Sequence, residues 1–357
     1  MNCYIHVPFC ASKCGYCAFY SEAGAQMAQM DAYLDHLEKV IVPEKLTTLY
    51  VGGGTPTYLD SDRLSRLIEI LRSRFSFFPD AEKSIEANPE TLTGEKVAIL
   101  RSFFTRISVG IQSFDAVLRQ KIGRQCSSEA LERALTLVRE ADFKHWNCDL
   151  IYSLPDENLS QWENDLHLAA GCGADHVSCY SLTPERSALL GQDFDVDDER
   201  EKIMFDKAQE VLSSYGINRY EVSNYAREDA WCQHNLNVWR GGLLRGYGPA
   251  AADFDGVDRH IEVESLDKWL AGVAPETDAI SPGKRLNEIF AVNLRTLSGW
   301  TPELWQKVPG ADSWKKRLDV AQKSAMRNPG CWQIGAESIR LSNQGLLWWN
   351  DIASDLL

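Results

Sequence analysis

The stretch YIHVPFCASKCGYCAFY, residues 4–20, contains both the first strand of the fold and its most distinctive chemistry. Residues 3–7 are mostly apolar, β-branched or aromatic, which predicts a buried strand. Three cysteines follow at positions 10, 14 and 17 in a C-x3-C-x2-C pattern. A strand that runs into a loop with reactive side chains is typical of parallel sheets, whose ligands bind at the carboxyl ends of the strands.

Beyond this stretch, short apolar runs alternate with amphipathic stretches through the first two thirds of the chain. The strands are predicted at 3–7, 48–51, 83–87, 106–111, 147–152, 177–182 and 219–222. The helices are predicted at 27–42, 62–75, 95–102, 128–141, 160–171 and 197–215. Six or more strand–helix units in series indicate an α/β fold with a parallel sheet and right-handed crossovers. A complete or partial barrel and an open doubly wound sheet both fit this pattern.

The composition changes near GVAPETDAISPG, residues 272–283, which we expect to be a linker. Residues 284–357 contain 10 basic and 7 acidic side chains and six of the eleven tryptophans. We predict a small winged-helix-like C-terminal domain there, with residues 341–349 forming a strand, a turn and a strand. The expected organisation is therefore a barrel core at 1–185, a connecting α/β region at 186–271, the linker and this domain.

The overall composition excludes several classes of protein. The 357 residues include 37 Lys and Arg against 51 Asp and Glu, a net charge of −14, which disfavours nucleic acid as a partner. No apolar run reaches the ~20 residues of a membrane helix, so we predict no integral membrane segment. The first residues lack the basic and apolar regions of a signal peptide. We expect a cytoplasmic protein whose ten cysteines are reduced or bind metal.

The cysteines at 10, 14 and 17 can each hold one iron of a cubane cluster. The fourth iron of such a [4Fe–4S] cluster has no protein ligand and can chelate an amine and a carboxylate. S-adenosylmethionine (SAM) offers both groups, and the cluster can pass one electron to its sulfonium. Two alternatives remain at this point, a zinc site with His6 as the fourth ligand and cysteines that are merely structural.

The C-x3-C-x2-C loop resembles that of the radical SAM superfamily. The wider sequence resembles one branch, the oxygen-independent coproporphyrinogen III dehydrogenases (HemN) and the related HemW-type heme chaperones. The segments that carry the resemblance are LYVGGGTPT, IEANPETLT, RISVGIQSF with IGR, NCDLIYSLP, YEVSNYA and CQHNLNVW. The resemblance covers nearly the whole chain and implies an incomplete (β/α)6 TIM-like barrel with the C-terminal domain of that family.

The resemblance also implies a set of SAM-binding residues. The family's GGTP segment, here Gly53, Gly54 and Thr55, holds the methionine end of SAM. Further family positions at the SAM pocket match the residues Tyr4, Glu86, Gln112, Arg124 and Asp149. Without the resemblance, the glycine segment would be a tight turn and Tyr4 a strand residue. Glu86 would be a solvated charge, and the other three would be ordinary loop or salt-bridge residues.

A second motif, residues 232–239, reads CQHNLNVW. The HemW-type chaperones carry an H-N-x-x-Y-W motif linked to heme binding, and here Val238 replaces the Tyr. The resemblance implies that His234 binds heme iron, and the alternative is a histidine that is hydrogen-bonded in a turn. Residues 246–251 imitate G-x-G-x-x-A, but we predict neither a strand before them nor a helix after them, and we reject a dinucleotide site.

Two departures separate the branches. The dehydrogenase carries another Cys two residues after the third cluster Cys, where this chain has Phe19. The dehydrogenase also has an N-terminal extension before its Tyr-x-His motif, whereas that motif begins at Tyr4 here. Both features match the HemW branch. The resemblance then implies a chaperone that binds a [4Fe–4S] cluster, SAM and heme and delivers heme to apo-acceptor proteins of the respiratory chain. The alternatives are a coproporphyrinogen III dehydrogenase and a radical SAM enzyme that modifies tRNA. We predict no catalytic residue and leave SAM cleavage open.

Overall fold

The computed structural model describes residues 1–183 and 197–357. Its strands are β1 Asn2–Val7, β2 Phe9–Cys10, β3 Glu22–Ala23, β4 Glu44–Gly53, β5 Phe75–Ala87, β6 Arg106–Gln112, β7 His145–Tyr152, β8 His176–Ser181, β9 Asn218–Arg219, β10 Asn224–Ala226, β11 Leu244–Tyr247, β12 Ala252–Phe254, β13 Arg259–Ile261, β14 Glu276–Asp278, β15 Trp332–Ile334 and β16 Ile339–Leu341. Its α-helices are α1 Met27–Val40, α2 Ser61–Arg74, α3 Gly94–Arg101, α4 Ala116–Lys121, α5 Ser128–Glu140, α6 Leu159–Gly171, α7 Asp198–Ser214, α8 Gln233–Trp239, α9 Leu266–Leu270, α10 Pro282–Asn293, α11 Pro302–Gln306, α12 Trp314–Arg327, α13 Asn343–Leu347 and α14 Trp349–Leu356.

The strand order decides between the two architectures that the sequence allowed. Strands β1, β4, β5, β6, β7 and β8 lie side by side in chain order, and each neighbouring pair is parallel. A doubly wound sheet would reverse its order at a switch point, whereas a barrel keeps adding strands in one direction. The sheet order is linear among the described residues, so these strands form an incomplete barrel, as predicted.

Both edges of this parallel core are extended. Strand β11 pairs with β1 in parallel, and β12, β13 and β14 continue antiparallel beyond it. At the other edge, β10 pairs antiparallel with β8, and β9 pairs with β10. The connecting region therefore completes the large sheet on both sides.

The helices pack their apolar faces on the outside of the sheet. In α5, Ser127 accepts a hydrogen bond from the N–H of Ala130 at the helix start, and Leu131, Ala134 and Val138 form the buried face. The outward residues of the strands are correspondingly apolar, as Leu49 is in β4. The alternate, inward residues of the strands are largely polar, and this polar interior contains the site described below.

Three local predictions were wrong. Residues 244–247 form a strand that was not predicted. The element after the 246–251 segment is the strand β12, so the dinucleotide site stays rejected. Residues 341–349 do not form two strands, because Ser342 caps α13 and the hairpin lies earlier, at β15 and β16. The expected linker 272–283 contains β14, which belongs to the large sheet.

The C-terminal segment has its own hydrophobic core, built around Phe290, Trp300 and Trp305. Helices precede a two-stranded hairpin, and Trp300 bridges to Ile339 of β16, which is the winged-helix-like arrangement predicted for this segment. The predicted boundary between residues 185 and 186 lies outside the described residues. In residues 1–183 and 197–357, no helix is long and apolar enough to cross a bilayer.

Candidate functional site

A cleft of about 540 Å³ opens at the carboxyl ends of the parallel strands. It brings together every predicted site residue except Tyr4 and His234. The predicted residues that line it are Cys10, Cys14, Cys17, Gly53, Gly54, Thr55, Glu86, Gln112, Arg124 and Asp149. The cysteines lie in or near the loop after β1, and Arg124 lies in the segment between α4 and α5. The other residues lie in or directly after β4, β5, β6 and β7, so the barrel topology makes them neighbours.

The cysteine loop is held against the barrel by short-range contacts. Cys10 Sγ lies 3.5 Å from Thr55 Oγ1, and the N–H of Cys17 donates to the carbonyl of Cys14. A Cβ on Gly54 would lie 2.8 Å from the carbonyl oxygen of Phe9, so only glycine lets the end of β4 approach this loop so closely. Burial raises the pKa values of the Cys10 and Cys17 thiols. The three cysteines, all partly exposed, face one cleft, and a metal bound there would deprotonate their thiols.

The zinc alternative fails at its fourth ligand. His6 Nδ1 lies 3.1 Å from the hydroxyl of Tyr4 and His6 Nε2 lies 3.0 Å from the carbonyl oxygen of Tyr20, so both ring nitrogens have partners. A Cβ on Gly53 would meet the His6 ring at 2.7 Å, which shows how closely the ring packs under β4. In the described part of the chain, no three His, Cys, Asp or Glu side chains are close enough to hold one metal ion.

Glu86 presents a carboxylate to the cleft from the end of β5. Tyr50 Oη donates to Glu86 Oε1 at 2.9 Å and the Gly53 N–H donates to Oε2 at 3.1 Å. Burial raises the pKa of Glu86 to about 7, although both hydrogen bonds oppose that shift. Near neutral pH, both protonation states of Glu86 are therefore populated, and a cation bound beside it would favour the ionised carboxylate.

Asp149 lies within β7, inside the predicted strand 147–152, and points into the same interior as Glu86. Ser108 Oγ donates to Asp149 Oδ2 at 2.6 Å and Asn147 Nδ2 donates to Oδ1 at 2.8 Å. Burial raises the pKa of Asp149, and these donors oppose the shift. Two partly buried carboxylates, Glu86 and Asp149, therefore face a cleft that also contains one buried guanidinium.

That guanidinium belongs to Arg124. Its Nη2 donates to the carbonyl of Gly110 at 2.6 Å and its Nη1 lies 3.9 Å from Cys14 Sγ. Its buried Nε has no hydrogen-bond partner among residues 1–183 and 197–357. Arg124 is thus placed beside the cysteine loop with one donor unused. Gln112 adds an amide at the end of β6 and has φ 70°, a strained conformation for a residue other than glycine and a common feature of functional sites.

Tyr4 does not line the cleft. Its ring stacks on that of Tyr50, with centroids 6.2 Å apart, and its hydroxyl contacts His6. Tyr4 therefore lies behind the residues that hold Glu86 and contact the cysteine loop.

His234 is also absent from the cleft lining, and it lies deeper, at the opposite end of the barrel interior. Its side chain is buried, with 6% of the residue exposed, and its Nδ1 lies 2.9 Å from Thr48 Oγ1. The Tyr50 ring covers it, with centroids 5.2 Å apart, and burial lowers its pKa to about 4. The ring is enclosed in this conformation, and binding of heme iron by His234 stays a prediction.

The helix that carries His234 is anchored by a buried ion pair. Glu82 accepts hydrogen bonds from the N–H groups of Gln233 and His234 and forms a 3.0 Å ion pair with Arg106. Arg106 in turn donates to the carbonyls of Ala230 and Trp231. Helix α8 thus closes the amino-terminal end of the barrel.

Several residues that build the cleft were missed by the sequence analysis. Tyr50 orients Glu86, Ser108 and Asn147 orient Asp149, and Asn88 donates to Thr55 at 2.7 Å. Tyr50 and Ser108 lie at inward positions of otherwise apolar strands. A polar residue at every second position of a buried strand was the signal that could have found them.

The comparisons with known proteins agree with this geometry. The profile of the Radical SAM superfamily matches residues 4–169. The heme chaperone HemW of Mycobacterium tuberculosis is 37% identical over 290 residues, which cover 77% of this chain and 74% of the relative. The chain belongs to the HemW family, within the radical SAM superfamily. HemW of Escherichia coli is 34% identical, over 70% of this chain and 69% of its own, and HemW of Bacillus subtilis is 27% identical over nearly the full length of both, 98% and 97%.

Among solved structures, coproporphyrinogen III oxidase (HemN) from Escherichia coli, described as a radical SAM enzyme, superimposes with a TM-score of 0.85. The match covers 99% of this chain and 89% of HemN at 23% identity. This chain thus shares its fold with HemN, and at this identity the likeness shows the fold alone.

Proposed function

We propose that this chain is a heme chaperone that holds a [4Fe–4S] cluster and SAM at its cleft, binds heme and delivers it to apo-acceptor proteins. The observation that carries the proposal is the 37% identity to a HemW heme chaperone over 77% of the chain. The cleft supports it, because three cysteines, two carboxylates and one arginine meet there in the arrangement that the sequence motifs implied.

The donor set fits the cluster. Cys10, Cys14 and Cys17 would each ligate one iron, and three thiols on one loop leave the fourth iron without a protein ligand. A bound, reduced cluster can supply one electron to the sulfonium of SAM. The chain itself orients the thiols, through Thr55 at Cys10 and through Arg124, whose positive charge lies beside Cys14.

The residues around the cluster loop fit the polar groups of SAM. Glu86 and the backbone of Gly53 and Gly54 would accept from its ammonium, and Arg124, with its unused Nε donor, would bind its carboxylate. Gln112 and Asp149 would bind the remaining polar groups. Tyr4 would act indirectly, by supporting Tyr50 and His6.

Heme binding is also part of the proposal, but the structure shows no accessible iron ligand at His234. Its ring is buried under Tyr50 and hydrogen-bonded to Thr48, so direct ligation does not fit this conformation. The variant His234→Ala separates the two roles, because loss of an iron ligand changes the heme spectrum, whereas loss of packing lowers stability.

The proposal has further parts for partners and location. The acceptors would be apo-proteins of the respiratory chain, and the chaperone would act in the cytoplasm. The net charge of −14 argues against nucleic acid as a partner. The dehydrogenase alternative is disfavoured by Phe19, which is 70% exposed at the cleft where that enzyme has a cysteine.

A heme titration of the anaerobically reconstituted protein tests the proposal, with coproporphyrinogen III conversion assayed in the same preparation with SAM and a reductant. We expect about one heme per chain and no conversion. Conversion of coproporphyrinogen III with consumption of SAM would make the protein a dehydrogenase and overturn the proposal.

A further inference from the structure

Two cysteines outside the cleft lie in contact with each other. Cys148 belongs to strand β7, Cys172 caps the end of helix α6, and their Sγ atoms are 3.5 Å apart. Neither residue belongs to the cluster loop or lines the cleft. A disulfide has its sulfur atoms ~2.05 Å apart, so a small rotation of the two side chains would bring the thiols to bonding distance.

The two thiols differ in access to solvent. Cys148 is fully buried in the core between the sheet and α6, whereas Cys172 is partly exposed. A solvent-accessible thiol beside a second, resolving thiol is the arrangement of redox-sensitive cysteine pairs.

The surroundings of Cys172 also favour its thiolate. Contact with the Cys148 thiol lowers the pKa of Cys172 against the opposing effect of burial, and the N–H of Ala174 and the charge of Arg139 act in the same direction. In its thiol form, Cys172 donates a hydrogen bond from Sγ to the carbonyl of Ala169 at 3.0 Å. Arg139 is close in space, since its Cδ lies 3.6 Å from the position of a Cβ on Gly173. Burial raises the pKa of Cys148 well above its ordinary value. Cys172 is also the more exposed residue of the pair, so it is the one that an oxidant in solution reaches first.

We propose that Cys148 and Cys172 form a reversible disulfide when the protein meets a peroxide-class oxidant. The Cys172 thiolate attacks one peroxide oxygen, the O–O bond breaks, and Cys172 becomes a sulfenic acid while the other oxygen leaves as water after protonation. Cys148 then attacks the sulfenic sulfur, the S–O bond breaks, and the second oxygen leaves as water. In total two thiols lose two electrons and two protons, and hydrogen peroxide is reduced to two waters.

The position of the pair connects this modification to the cleft. Cys148 lies between Asn147 and Asp149, which point to the barrel interior and are hydrogen-bonded to each other. The disulfide ties β7 to α6 at this residue, so it acts on the strand that presents Asp149.

Peptide mapping of the full-length protein tests the proposal. The anaerobically purified chain is treated with hydrogen peroxide, free thiols are alkylated, and the protein is cleaved after glutamate. Glu157 and Glu163 separate the two cysteines, so their peptides stay joined only by a disulfide. We expect a joined pair after peroxide, its release by dithiothreitol, and the same pair in a variant with Cys10, Cys14 and Cys17 replaced by Ala.

Cys179 provides the matched control because it lies on the same glutamate-bounded peptide as Cys172 and is buried on the neighbouring strand. The joined peptides should persist in Cys179→Ser and disappear in Cys172→Ser, a partly exposed position that tolerates serine. Complete alkylation of both Cys148 and Cys172 after peroxide would overturn the proposal. So would joined peptides that survive in Cys172→Ser.

Discussion

At the scale of single residues, the cysteine loop carries the central prediction. Cys14→Ala leaves two thiols on the loop and two irons of a cubane without a protein ligand, so we expect iron and sulfide to fall to background after anaerobic reconstitution. Cys331→Ala, a buried cysteine in the C-terminal segment, is the control and should keep its full iron content. A complete cluster in Cys14→Ala would refute the three-ligand arrangement.

Glu86 gives a pH-dependent prediction. Its folded pKa of about 7 lies above that of an unfolded glutamate, about 4.5, so the folded state binds the extra proton between these values. The stability contributed by this proton is present below pH 4.5 and is lost as pH rises through 7. Glu86→Gln should therefore stabilise the cluster-free protein relative to wild type at pH 8, by up to about 3 kcal/mol, and not at pH 4.5.

Denaturant unfolding at several pH values checks this difference. Glu132→Gln, an exposed glutamate on α5, is the control and should follow wild type at every pH. A difference between Glu86→Gln and wild type that does not change with pH would show that the carboxyl is not held protonated by burial.

Individual residues also show what the sequence could predict. Most of the predicted site residues lie in continuous motifs, and the structure brings them to one cleft. They are the three cysteines, the glycine turn, Glu86, Gln112, Arg124 and Asp149. Tyr50, Ser108 and Asn147 were missed because they act by holding another side chain, and such contacts arise only when strands are paired. His234 was predicted from its motif, but the tertiary contacts with Thr48 and Tyr50 that bury it have no local signal.

At the scale of elements, helix α8 depends on the buried pair of Glu82 and Arg106. Glu82→Gln leaves Arg106 without its counter-ion among the described residues and weakens the N-terminal cap of α8. Burial raises the pKa of Glu82, but Arg106 and the two N–H donors outweigh it and lower the pKa overall. Breaking such a buried pair costs about 3–5 kcal/mol, which denaturant unfolding would detect.

The exposed pair of Arg66 and Asp35 is the control for that measurement. Both side chains are substantially exposed, so Asp35→Asn should cost much less than Glu82→Gln. Equal losses in the two variants would contradict the role of Glu82 as the anchor of α8.

Elements were predicted best where a periodic apolar pattern and a cap coincide. Helix α5 was predicted at 128–141 and runs Ser128–Glu140, because Ser127 caps it and its apolar face is continuous. Strand β11 was not predicted because two of its four residues, Arg245 and Gly246, are not typical of a buried strand. The strand forms by pairing with β1. The end of the chain was misread because LLWW has strand-like composition, whereas the cap at Ser342 starts a helix.

At the scale of the whole molecule, Arg295 makes one of the contacts that join the C-terminal segment to the barrel region. Arg295 Nε donates to the fully buried carboxylate of Glu221 at 2.6 Å, and the guanidinium lies between the rings of Trp239 and Trp349, 4.4 and 5.0 Å from their centroids. Trp239 ends the CQHNLNVW motif, so this joint connects α8 to the C-terminal core.

Arg295→Ala should loosen this joint, because it removes the cation paired with the buried Glu221 carboxylate, at a cost of about 3–5 kcal/mol. We expect faster amide hydrogen exchange in α10 and α14 than in α5, which belongs to the barrel. Arg295→Lys keeps the charge but loses the planar stacking and should give a smaller effect. Exchange that rises equally in α5 would show global destabilisation instead of a loosened joint.

The barrel itself was predictable in part. The alternation of strands and helices indicated a parallel sheet, but only the observed order of β1, β4, β5, β6, β7 and β8 excluded a doubly wound sheet. Strand order depends on long-range pairing, which periodicity does not encode. The family resemblance supplied the correct choice before the pairing was known.

Heme transfer tests the central claim most directly. The reconstituted protein, loaded with heme and freed of excess, is mixed with an apo-hemoprotein of the respiratory chain, and the absorption and activity of the acceptor are followed. The account predicts that heme leaves the chaperone and the acceptor becomes active, faster than with an equal amount of free heme. Heme that stays on the chain, or an acceptor that gains no advantage over free heme, would contradict it.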